Sequence, residues 1–178
     1  MLAVEDAVPT QRGGRTIVLL HGLTATRRYV VMGSTALERA GHRVIAYDAR
    51  GHGESDPAQP YDYPALVADL LGVLDERGID RAVLAGASMG AHTAVRAALD
   101  TPQRVAGLVL ITPAFLPDEP TDLERWDALA RGLREGGVEG FVAAYSDWPQ
   151  AGEPGVPPAL RETVLTVLRQ RVARHEHP

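Results

Sequence analysis

The chain has 178 residues, of which 45% are hydrophobic and 23% charged, enough for one well-buried core. A net charge of −5 with no basic patch disfavours nucleic acid and anionic membrane surfaces as partners, and the lack of cysteine excludes disulfides and zinc–thiolate sites. No apolar run nears 18 residues and the start carries Glu5 and Asp6 rather than basic residues, so neither a membrane span nor an export signal is expected and a cytoplasmic location is.

In chain order, an edge strand is expected near Leu2–Val8, before Pro9, Gly13 and Gly14 interrupt. Thr16–Leu20 is a buried-strand run that stops at His21-Gly22, and a helix is expected near Arg28–Ala40, closed by Gly41 as a left-handed cap. Arg43–Tyr47 is the next strand, followed by the glycine-rich Asp48-Ala-Arg-Gly-His-Gly-Glu-Ser-Asp56. A helix follows at Tyr63–Arg77, with Asp62 as its cap, Pro64 in its first turn, Gly78 at its end and an apolar face of Leu66, Leu70, Val73 and Leu74. Arg81–Ala85 reads as a strand, Met89–Leu99 as a helix, and Val105–Thr112 as the fourth strong strand. Apolar runs of this length alternating with helices predict an open parallel α/β sheet buried on both faces.

Between the third strong strand and its helix lies Gly86-Ala87-Ser88-Met89-Gly90, a G-x-S-x-G pattern at a strand-to-helix turn. Side chains two residues either side of a serine at such a turn would strike neighbouring chain, and glycine at 86 and 90 removes them. A glycine-rich turn with an idle serine is the plain alternative. Together with "LLHG" at 19–22 and "YDARGHGESD" at 47–56, this motif resembles the α/β-hydrolase superfamily over about Thr16–Thr112.

That resemblance implies Ser88 as nucleophile, with the backbone N–H groups of Met89 and Leu23 as the oxyanion hole. It implies an acyl-enzyme route on a small carboxylic ester or lactone. Epoxide hydrolase and haloalkane dehalogenase activities are disfavoured, because those relatives use aspartate where Ser88 stands; perhydrolase, thioesterase and C–C hydrolase activities share a serine elbow and stay open. No cofactor or metal is implied.

After Thr112 the strand pattern ceases. Thr121–Glu124 is a capping box that opens a helix with the stripe Leu123, Trp126, Leu129 and Leu133, which Gly136-Gly137 ends. A short helix near Val138–Tyr145, a loop at 149–158 and a helix from Pro158 to about Arg174 follow. The expected division is 1–114 as the N-terminal part of a hydrolase core and 115–178 as a helical cap, the C-terminal βα units being missing; helices covering a sheet face are the alternative to a cap.

A serine needs a base, and the base an orienting acid. In the resembled family these follow the serine in the order acid, then histidine. Here His21 resembles the family's loop-shaping histidine, His42 opens a strand, His52 resembles a structural histidine, and His92 lies one helical turn past Ser88. His175 and His177 come after the serine but on a terminal tail; Asp118 and Glu119 are the acid candidates, and Asp48 is expected to be structural. None makes a convincing base. The rival to an enzyme is therefore a non-catalytic binding module, or a half-enzyme whose Val105–Thr112 edge self-associates or is completed by a further segment.

Overall fold

The computed structural model describes residues 1–9, 13–112 and 123–146, together with 165, 166 and 169. Asp118, Glu119, the first half of the capping box, the 149–158 loop, most of the 158–174 helix, His175 and His177 lie outside the described residues. The chain divides into two compact units, Met1–Ala114 and Phe115–Pro178.

The first unit is a five-stranded sheet of β1 (Val4–Ala7), β2 (Thr16–Leu20), β3 (Arg43–Tyr47), β4 (Ala82–Ala87) and β5 (Val105–Ile111). Its spatial order is β1-β3-β2-β4-β5, with β1 antiparallel to β3 and every other pair parallel. Successive side chains on a strand face opposite ways, so each apolar run fills two cores. Val18 and Leu20 join Ile45, Leu70, Leu74 and Leu84 on one face, while Leu19, Val44, Ala46 and Ala85 pack with Val30, Val31 and Leu37 on the other.

Helix α2 (Tyr63–Glu76) starts where Asp62 accepts a 2.9 Å hydrogen bond from the Ala65 N–H, and it ends ahead of Gly78 at φ +61°. Helix α3 (Met89–Asp100) buries its small face, Gly90, Ala91, Ala94 and Ala97. These elements follow the sequence pattern closely.

The segment after β2 does not. In place of one helix over Arg28–Ala40 there is a 3₁₀ turn at Arg27–Tyr29 and a single helical turn, α1 (Ala36–Arg39). Met32 and Gly33 take left-handed backbone, φ +51° and +75°, which no α-helix accommodates. Ser34 and Thr35 favour turns and caps, and Val30 and Val31 are spent on the sheet face instead of a helical stripe. Gly41, at φ +86°, closes the segment as expected.

In the second unit, α4 runs Leu123–Ser146 but is two helical stretches meeting at Gly137, which is non-helical at φ 56°, ψ −144°. The stretches fold back on each other, and Gly132 and Gly140 touch backbone to backbone where a Cβ on either would overlap the other's carbonyl. Leu129, Phe141 and Val142 form this unit's core, with Leu165 packed against it. Among the described residues no strand follows β5, and no helix is long and apolar enough to cross a membrane.

Candidate active site

The chain passes from β2 to β3 on one side of β2, then returns to lay β4 on its other side. At such a switch point the loops leaving two adjacent strands diverge, and the crevice beyond their carboxyl ends is where open α/β sheets bind ligands. Here those ends are His21-Gly22-Leu23 and Ser88. They meet closely: a β-carbon built on Gly22 would stand 3.5 Å from Ser88 Cβ and 3.4 Å from the Ala87 carbonyl oxygen.

Ser88 is exposed, at φ 49°, ψ −114°, a left-handed conformation costly for a residue with a side chain. The surroundings over-determine it. Its N–H donates to the Ile111 carbonyl at 3.0 Å, and its own carbonyl accepts from Ala91 and His92 at 2.8 and 3.1 Å. A Cβ on Gly86 would overlap the Gly90 carbonyl, and one on Gly90 would overlap the Leu20 carbonyl. Both glycines are thus demanded by backbone-to-backbone approach, which is the reason the spacing suggested.

Met89 opens α3, so its N–H is one of the donors an α-helix cannot satisfy internally, at the end carrying partial positive charge. Leu23 follows Gly22 in a β-turn closed by the Ala25 N–H donating to the Gly22 carbonyl at 3.0 Å. Neither the Met89 nor the Leu23 N–H finds an acceptor among the described residues. A cavity of about 10 Å³, room for one water, lies between Leu20, His21, Met89, Gly90 and Thr93.

Each histidine has a defined place. His21 is buried; its Nε2 accepts the Ala49 N–H at 2.9 Å, so the proton sits on Nδ1 and donates to the Gly22 carbonyl at 2.8 Å. With its one lone pair engaged, it has none to offer Ser88. His42 accepts the Arg15 N–H at 2.9 Å at the start of β3, the end of the sheet away from Ser88. His52 faces the Leu23 carbonyl. His92 packs its ring on Tyr63, centroids 5.8 Å apart, and its buried Nε2 has no partner among the described residues. No hydrogen bond reaches the Ser88 hydroxyl among the described residues.

Asp48 is structural, and more so than its sequence position suggests. It is fully buried at the end of β3, accepting from the Arg27 N–H (2.7 Å), the Glu54 N–H (3.0 Å) and the Arg27 guanidinium. Arg27, itself buried, also binds Glu5 at 2.9 Å and Glu54 at 2.5 Å. Burial works against the guanidinium's charge, but the bonds to Glu54 and Glu5 and the charge of Asp48 outweigh it and raise its pKa. The network ties the start of the chain, the segment after β2 and the glycine-rich loop together beside the site. Sequence reasoning missed Arg27; an arginine beside the expected helix start carried no signal of burial.

Residues 15–156 match the family described as alpha/beta hydrolase fold. The chain is 40% identical over 113 residues to epoxide hydrolase 3 of Siraitia grosvenorii, covering 60% of this chain and 35% of that protein. It is 38% identical over 96 residues to an sn-1-specific diacylglycerol lipase of Mus musculus, covering 53% of this chain and 31% of that one. The enol-lactonase of Burkholderia xenovorans LB400 superposes with a TM-score of 0.75 at 27% identity, covering 98% of this chain and 66% of the enol-lactonase. The chain spans about a third of the length of the two curated relatives.

Proposed function

Because the chain belongs to the α/β hydrolase fold family, we propose that it supplies the nucleophile and oxyanion hole of a serine hydrolase for a small carboxylic ester or lactone. The observation that carries this reading is the exposed Ser88 at φ 49° with the Gly22–Leu23 turn packed against it. In the reaction, Ser88 Oγ bonds to the acyl carbon as its proton passes to a base. The carbonyl oxygen becomes an oxyanion held by the N–H groups of Met89 and Leu23. Collapse breaks the ester bond, the leaving alkoxide takes the proton from the base, and water then releases the acid from Ser88 by the same steps.

Two of the relatives, a diacylglycerol lipase and an enol-lactonase, are by name hydrolases of acyclic or cyclic carboxylic esters, which supports this substrate class. The epoxide hydrolase likeness is weighed against it by the serine at 88, where such enzymes use aspartate. No convincing base or acid stands at Ser88 among the described residues: Asp118, Glu119, His175 and His177 are this chain's own further candidates, and the part of the relatives' length that the chain does not match is the other source. The helices of the second unit would serve as a cap.

The test is Ser88→Ala in the full protein, assayed on short acyl esters and with a fluorophosphonate probe. Loss of both turnover and labelling is expected; retained turnover overturns the assignment. The absence of a hydrogen bond to the Ser88 hydroxyl among the described residues favours, as a second reading, a binding module or half-enzyme in the 178-residue chain alone. That chain should then label slowly or not at all.

A further inference from the structure

We propose that His52 is a positioning residue that steadies the turn carrying the Leu23 N–H of the oxyanion hole, an inference resting on the Ser88 reading above. Leu23 is 46% exposed, so packing of its side chain does not hold the turn and hydrogen bonds must. A peptide group is planar and trans, so the direction of one C=O fixes the opposite direction of the N–H in the same group. The Leu23 N–H shares its peptide with the Gly22 carbonyl, which the His21 Nδ1–H and the Ala25 N–H pin at 2.8 and 3.0 Å. That leaves the rotation on the other side of Leu23, which swings the next peptide and with it the turn. His52 Nε2 lies 2.9 Å from the Leu23 carbonyl across 29 residues of sequence.

A carbonyl only accepts, so the bond to Leu23 requires the ring proton on Nε2. The two imidazoles pack at 5.0 Å between centroids and grip successive peptide groups from the same glycine-rich loop, one through Ala49 and the other from Gly51-His52-Gly53 itself. His52 Nδ1 stands 3.0 Å from the Arg50 carbonyl, so the carbonyls of Leu23 and Arg50 compete for the single proton of a neutral ring. Gly51 and Gly53, at φ +69° and +53°, give the loop the curvature that presents the ring to Leu23. His52 touches no substrate in this scheme; it acts through Leu23.

The test compares wild type, His52→Phe and His52→Gln in the 178-residue chain. Phenylalanine keeps a ring and loses the donor, while the glutamine amide restores one. Nitrogen-15 NMR of wild type should find the proton on His52 Nε2. The Leu23 amide order parameter should fall from about 0.85 to below about 0.6 in His52→Phe and recover in His52→Gln. Ser88 phosphonylation should slow at least tenfold in His52→Phe through the bond-forming step, with probe affinity unchanged, and recover with glutamine. An unprotonated Nε2 in wild type, or a Leu23 amide equally ordered in all three proteins, overturns the proposal. If wild type does not react at all, the second reading, a half-enzyme or binding module, holds for the 178-residue chain, and the two NMR measurements still decide the role of His52. Should His52→Phe not fold, the wild-type proton position and His52→Gln decide it.

Discussion

Asp48→Asn should destabilise the first unit by about 3 kcal/mol, near the low end of the roughly 3–5 kcal/mol for breaking a buried ion pair. The substitution is nearly isosteric, so the cost is electrostatic. One carboxylate oxygen accepts the Arg27 N–H, and the other accepts both the Glu54 N–H and the Arg27 guanidinium. Whichever way an amide is turned, its NH₂ meets a donor, and a buried guanidinium loses its buried counter-charge. Glu5 and Glu54 remain on Arg27, but their side chains are 54% and 69% exposed, so solvent screens much of what they return. Against a total stability of about 5–15 kcal/mol, the urea midpoint should fall by roughly 1–3 M. Unfolding followed by the backbone amide signals of β2, β3 and β4 isolates this unit. A double-mutant cycle with Arg27→Met should be strongly non-additive. A midpoint shift worth less than about 1 kcal/mol, or an additive cycle, would refute the argument that this pair is mutually dependent.

The Arg43 guanidinium grips both oxygens of Asp6, at 2.9 and 2.6 Å, and holds its pKa below the ordinary 3.8. A depressed folded-state pKa means stability that is fully present above 3.8 and lost as pH falls through the folded value. Asp6→Asn should therefore cost up to about 1 kcal/mol at neutral pH, with the difference from wild type vanishing in acid; a gap that persists below the folded pKa contradicts this. Strand β5 closes the sheet on one side with Leu108, Val109, Leu110 and Ile111 each 39–49% exposed, and the 178-residue chain is expected to pair with a second copy there. Light scattering should give a concentration-dependent mass that Leu110→Lys lowers, and a monodisperse monomer would show the edge to be covered.

The parallel sheet was legible in the sequence because each strand is an unbroken apolar run, and the serine elbow because its glycines are required within five residues. Local rules also found the Asp62 cap and the left-handed glycines at 41 and 78. What failed was longer in range. The Arg28–Ala40 stripe has helical spacing, but the left-handed backbone at Met32-Gly33 and the demand of the sheet for Val30 and Val31 override it. The pairings of Asp48 with Arg27 and of His52 with Leu23 join segments 21 and 29 residues apart. They exist because β2 and β3 lie side by side and parallel, which brings the loops leaving them together, and no local pattern encodes that. Base and acid stayed illegible, since their geometry depends on chain that no pattern near Ser88 constrains.

The Ser88 N–H donates to the carbonyl of Ile111, on the last strand of the described sheet. The bend at the nucleophile is therefore braced from the margin of the sheet, not from its middle. A strand added along the side of β5 away from β4 would act as a buttress: by stiffening Ile111 it would stiffen the serine's left-handed backbone. In this molecule the firmness of the attacking hydroxyl and the completeness of the sheet are one mechanical property, felt at opposite sides of a single strand.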